Sequence, residues 1–157
     1  MPALFRASFI ALLCLSSSLL ASAADWPQFR GPGAEGYVPD HGYPLTWSET
    51  ENVTWKVPIP GLGWSSPVVV GSQIWLTTAL DEGTSLRAVC VDRASGKLLH
   101  DVEVFHQEKP EAIHKKNSHA SPTPIVEGNR VYVHFGAHGT ACVTTDGKLL
   151  WRTNELK

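Results

Sequence analysis

From residue 52 onward the chain alternates short apolar runs with glycine turns, and it does so twice. The first stretch reads Ser66-Pro67-Val68-Val69-Val70-Gly71-Ser72-Gln73-Ile74-Trp75-Leu76, and the second Thr123-Pro124-Ile125-Val126-Glu127-Gly128-Asn129-Arg130-Val131-Tyr132-Val133. A hydroxyl residue, a proline, an apolar run, a glycine turn and an apolar-aromatic-apolar triplet coincide position by position. Two short strands about a Gly-Ser or Gly-Asn turn form a hairpin. Each copy turns again, at Asp81-Glu82-Gly83 and at Ala137-His138-Gly139, into a third strand, Ala88-Val89-Cys90-Val91 or Thr140-Ala141-Cys142-Val143. The fourth element recurs as Ser95-Gly96-Lys97-Leu98-Leu99-His100 and Asp146-Gly147-Lys148-Leu149-Leu150-Trp151. Continuous apolar runs such as Val68-Val69-Val70 predict sheets covered on both faces.

Four strands and three turns in a unit of about 50 residues is the period of a propeller blade. The predicted fold is all-β: a partial β-propeller of four-stranded antiparallel blades at about residues 65–105 and 121–152. An orphan outer strand at about 52–57 precedes them, with Trp55 standing where His100 and Trp151 stand later. Residues 24–51 read as an irregular segment. A ring takes roughly 4–8 blades, so one strand and two blades leave it incomplete. The expectation is that the remaining blades come from a longer chain or from other copies.

The first residues carry a different signal. Arg6 precedes an apolar run, Ala7 to Leu20, and Ala21-Ser22-Ala23 supplies the small-x-small pattern cut by signal peptidase. Residues 1–23 are therefore read as an export signal, against an uncleaved anchor. The run is shorter than the roughly 20 apolar residues of a membrane span, so no span is expected after cleavage. Leu13 before Cys14 is too bulky for a lipoprotein signal. The predicted location is periplasmic or extracellular.

Composition narrows the function classes. Thirteen basic and fifteen acidic side chains rule out a nucleic-acid binder working by bulk positive charge, and Lys115-Lys116 is too short a basic run to change that. Eleven prolines and thirteen glycines argue against a helical bundle. Export permits a disulfide, but Cys90 and Cys142 fall at equivalent positions of the two copies and are expected to be buried free thiols.

The Gly-Lys-Leu-Leu-Trp ending, preceded by an apolar strand and a turn, is similar to the repeat of the PQQ-like (pyrroloquinoline-quinone-like) propellers, Ala-x-Asp-x-x-Thr-Gly-Lys-x-x-Trp. Val91-Asp92-Arg93-Ala94-Ser95-Gly96-Lys97 matches it in the first copy, which ends in His100; after a shortened turn the second keeps Gly147, Lys148 and Trp151. The opening Asp25-Trp26-Pro27-Gln28-Phe29-Arg30-Gly31-Pro32 also resembles the start of many exported PQQ-like propellers of environmental bacteria. The likeness spans about residues 25–157, the N-terminal portion of such a protein. It implies that the tryptophan ending each repeat packs onto the next blade, a contact that His100 alters.

The resemblance does not by itself imply a bound quinone. Quinoprotein dehydrogenases of that family set a pair of adjacent cysteines against the quinone, and this chain has no Cys-Cys. Calcium takes 6–8 oxygens, whereas Asp81, Glu82, Glu108 and Glu111 are scattered. No cofactor is predicted for this chain.

Seven histidines offer the remaining candidate chemistry. His114 and His119 flank Lys115-Lys116-Asn117-Ser118 in a long loop, and His134 and His138 flank the next turn; lysines beside the first pair oppose a cation, so no metal site is predicted. Asn117 and His119 are the candidate ligand or partner contacts. Ser65 and Ser66 lack a Gly-x-Ser-x-Gly elbow. Arg30-Gly31-Pro32-Gly33 lacks the Gly-Lys-Ser/Thr of a phosphate loop. Asn52-Val53-Thr54, though spaced as a glycosylation acceptor, is read as strand. No catalytic residue is assigned. Three functions follow: a non-catalytic exported scaffold with protein or cell-envelope partners, related to outer-membrane assembly scaffolds; part of a quinoprotein dehydrogenase using quinone and calcium; or a saccharide- or small-molecule-binding propeller. The first is preferred.

Overall fold

The computed structural model of the protein describes residues 24–38 and 42–155. The export signal predicted at residues 1–23 lies outside them. The chain forms eight strands: β1 (Val68–Val70), β2 (Gln73–Leu80), β3 (Ser85–Asp92), β4 (Leu98–His106), β5 (Ile125–Glu127), β6 (Arg130–His134), β7 (Thr140–Thr144) and β8 (Leu149–Thr153). They make two antiparallel four-stranded meanders, β1-β2-β3-β4 and β5-β6-β7-β8. No helix among the described residues is long and apolar enough to cross a membrane.

The repeat holds at the level of single rungs. Val68, Trp75, Cys90 and His100 stand side by side across the first sheet; Ile125, Tyr132, Cys142 and Trp151 do so across the second. Each sheet carries a register shift just after its cysteine. The first has another between Leu86 and Arg87, which leaves Val104 as the extra residue of a bulge.

The sheets stack in the same orientation, β1 against β5 and β4 against β8. Trp75, Ala79, Leu86, Ala88, Cys90 and Val104 of the first sheet form one buried cluster with Val126, Val131, Val133, Ala141 and Val143 of the second. Burying each large apolar side chain contributes roughly 1.5–3 kcal/mol. The first sheet therefore presents its cysteine-bearing face to the second, and the second presents the opposite face in return. The cysteine-bearing face of the second sheet points away, with Ile125 48% and Trp151 41% exposed. Cys90 and Cys142 are buried and unpaired.

Irregular segments pair with the β1 and β5 side of the sheets. Trp26 exchanges backbone hydrogen bonds with Val69 on the open side of β1 (2.6 and 2.9 Å), and Val126 N–H donates to the Pro27 carbonyl at 2.8 Å, tying the opening segment to both sheets. Beyond the short β1, Leu62 pairs with Ala79 along β2 (2.9 and 3.0 Å).

The outer strand expected at 52–57 does not form a ladder; residues 53–59 carry no strand assignment. A lone extended segment lacks a neighbour with which to exchange backbone hydrogen bonds. Trp55 anchors it instead, its Nε1–H donating to the Arg93 carbonyl at 2.9 Å.

Candidate functional site

Two places in the chain concentrate the residues singled out by the sequence, one at each end of the stacked sheets. At the first end lie the β3–β4 and β7–β8 turns. Asp92 accepts from Ser95 N–H (2.8 Å) and Ser95 Oγ (2.5 Å), and Gly96 N–H donates to the Asp92 carbonyl at 2.8 Å. These bonds from Ser95 hold the Asp92 carboxyl below its ordinary range. In the second sheet a hydroxyl does the same work: Thr144 Oγ1 accepts from Lys148 N–H at 3.0 Å, and Gly147 N–H donates to the Thr144 carbonyl at 2.9 Å.

Both turns serve as seats for a ring from elsewhere in the chain. A Cβ on Gly96 would lie 2.6 Å from the Trp55 indole, and one on Gly147 would lie 2.6 Å from the His100 imidazole. Each glycine also holds a positive φ, 72° and 84°, so a side chain is excluded on two grounds. His100 in turn stacks on Trp75 with ring centres 5.8 Å apart. An imidazole does not reach as far as an indole N–H, and Gln73 takes over that bond. Its Nε2 donates to the Thr145 carbonyl at 2.9 Å while its Oε1 accepts from Trp75 Nε1 at 3.0 Å. Thr145 and Arg93 occupy matching places, each donating its N–H to the β-hairpin turn residue Asn129 or Ser72. Lys97 and Lys148 are exposed and contribute backbone bonds to the turns. Trp151, the third residue of this series, is half exposed and contacts Tyr132, ring centres 6.3 Å apart.

At the opposite end, the loop after β4 folds over the β2–β3 and β6–β7 turns. Thr77 Oγ1 donates to the carbonyls of Ala120 (3.4 Å) and Pro122 (3.2 Å), and Trp64 N–H donates to the Ala120 carbonyl at 3.0 Å. Buried Ser118 accepts from Ala120 N–H at 2.9 Å. These bonds fix His119 against Gly83, where a side chain would collide with the imidazole. The preceding residues Asp81 and Glu82 adopt left-handed backbone at φ 48° and 57°, a conformation costing of order 1 kcal/mol for each residue with a side chain.

His119 lines two cavities of about 230 and 200 Å³. Its Nδ1 is buried without a hydrogen-bond partner, and its ring centre lies 6.1 Å from that of His138. Burial pushes the His138 imidazole below its ordinary range; Glu111 pulls it up and His119 pushes it further down. Asn117 is brought to the same cavities, its Oδ1 accepting from Ser121 Oγ. His114 is held in an exposed local turn, where its Nδ1 accepts from Lys116 N–H at 3.2 Å. No group of three or more metal-ligating side chains occurs among the described residues. Ser65 Oγ is engaged with the backbone of Thr77 and Ser66 N–H with Thr123 Oγ1.

Sequence reasoning did not single out Gln73, Thr77 or Arg152. Gln73 was legible only as a polar residue after a glycine turn, and its use depends on the missing tryptophan at His100. No protein-family model matches the chain, and no curated protein matches it.

Proposed function

We propose that the chain is part of an exported PQQ-like β-propeller that serves as a non-catalytic scaffold, presenting the loop around Asn117 and His119 to a protein or cell-envelope partner. The observation that carries this reading is the recurring seat of a ring on a turn glycine, Trp55 on Gly96 and His100 on Gly147. It links successive repeats by one and the same contact, as tryptophans do in PQQ-like propellers. Trp151 and Ile125, on the cysteine-bearing face of the second sheet, form the surface onto which a further blade seats. The ring is completed by further blades of the same polypeptide or of other copies. Export rests on the pattern of residues 1–23.

A quinone site does not fit the residues present. Cys90 and Cys142 are buried in separate sheets, so no adjacent pair is available to stack on a quinone.

The test is expression with the native N-terminus in a Gram-negative host. The expected result is protein in the periplasm with residue 24 at its N-terminus, and no dye reduction when pyrroloquinoline quinone, calcium and an alcohol are added. Retention in the cytoplasm, or quinone-dependent turnover, would overturn the reading.

A further inference from the structure

A cleft of about 370 Å³ opens where the ends of β4 and β8 meet the β6–β7 turn, lined by Phe105, His106, His138, Arg152, Thr153 and Asn154. Every charged or titratable side chain in that lining is basic, and no carboxylate is among them. Arg152 projects from the second sheet toward the first, where its Nη1 donates to the Val104 carbonyl at 3.0 Å. Val104 is the residue that the register skips, and its carbonyl accepts from the neighbouring sheet. This bond braces one arm of the guanidinium and leaves the remaining N–H groups at the cleft. No carboxylate among the described residues pairs with Arg152.

Two nearby carboxylates, Glu103 and Glu111, act on other groups, and exposed Glu155 follows the cleft residue Asn154 without an ion pair among the described residues. Glu103 accepts from Ser85 and Arg87 and faces His106 Nδ1 at 3.5 Å. Glu111 acts on His138 from the neighbouring cavity. Gly139, which has no room for a Cβ against the Thr153 carbonyl, lets the turn carrying His138 close on the end of β8.

From this arrangement we infer that the cleft binds a small oxyanion, a phosphate or carboxylate group, with Arg152 as its charged anchor. A guanidinium presents a planar fork of donors that matches two oxygens of such a group. The imidazole of His138, the Asn154 amide and the Thr153 hydroxyl add neutral donors around it. The site is separate from the ring seats on Gly96 and Gly147, and it stands whether or not the propeller reading holds.

The experiment is a titration of the exported, 15N-labelled protein with inorganic phosphate and, separately, with sodium acetate, at about 20 mM salt to limit screening. The side-chain amide of Asn154 and Nε of Arg152 report binding by NMR. Saturable shifts with phosphate alone assign a phosphate group, with acetate alone a carboxylate, and with both a general oxyanion site. Arg152→Gln is expected to weaken binding at least tenfold, read on the Asn154 amide. Because Arg152 also braces Val104, Asn154→Asp provides a second test: it places a negative charge at an exposed rim position and is expected to weaken binding at least tenfold with the backbone spectrum unchanged. Absence of saturable shifts with either anion, or wild-type affinity in Asn154→Asp, would overturn the assignment.

Discussion

The indole of Trp55 lies over Gly96 so closely that a single methyl group on the glycine would fall 2.6 Å from it. The indole N–H reaches past the glycine to the Arg93 carbonyl at 2.9 Å. The turn and the ring are thus fitted by contact and by hydrogen bond at once, over 38 residues of chain. Gly96→Ala is expected to destabilise the protein by about 2 kcal/mol, because it adds both the collision and a strained positive φ. Urea denaturation followed by circular dichroism measures this. A loss below about 0.5 kcal/mol, the range of ordinary surface changes, would mean that the seat is not tight.

Gln73 should be the element that makes His100 tolerable at its position. Gln73→Leu removes the donor to Thr145 and the acceptor of Trp75 Nε1, and is expected to cost about 2 kcal/mol for the groups left unpaired. Adding His100→Trp to that variant supplies an indole N–H to the Thr145 carbonyl and should recover part of the loss. A double-mutant cycle reads this coupling; additive effects would contradict it.

Acid should weaken the fold in two stages. His138 is depressed in the folded protein chiefly by burial. Its contribution is present above the ordinary imidazole value of about 6.5 and is lost as pH falls through the lower folded value. The Asp92, Asp146 and Glu103 carboxyls are also depressed, each first by a hydroxyl donor: Ser95, Thr144 and Ser85 respectively. Their contributions are present above about pH 4 and are lost as pH falls below it. The melting temperature should therefore be level from about pH 7 to 8 and decline below about 6.5, and His138→Gln should abolish the first part of that decline.

Both thiols in the sheets should resist modification. Burial pushes Cys90 up to about 12, and Cys142 is raised by the same cause. Thiolate is the reactive form, so a thiol reagent at about pH 8 is expected to leave Cys90 and Cys142 unmodified in the folded protein and to label both in denaturant, as read by peptide mass spectrometry. Labelling of Cys90 in the native state would show that the sheets open readily.

Much of the strand order was legible because the glycine turns and apolar triplets recur at matching positions. The strand limits were less so. The strand expected at Ala88–Val91 runs over Ser85–Asp92, since Arg87 is accommodated on the sheet by pairing with Asp101 at 2.6 Å, a partner that an apolar pattern does not disclose. The fourth strand runs on from Leu98 to His106, past the recurring Gly-Lys-Leu-Leu ending that marks its start. The segment at 52–57 has the composition of a strand but no neighbour to pair with. Asn117 and His119 were legible as an unusual polar loop. The cavities beside them depend on Gly83 and on the fold of a distant turn, and the Arg152 cleft depends on a bulge at Val104; neither has a local sequence signature.

A crystal structure of the protein purified from its own cells decides whether the sheets continue beyond the second, through the surroundings of Trp151. Its indole is expected to sit over the turn glycine of a further four-stranded sheet, from the same chain or from another copy, as Trp55 sits over Gly96. An indole of Trp151 left in solvent, with the second sheet ending the stack, would contradict it.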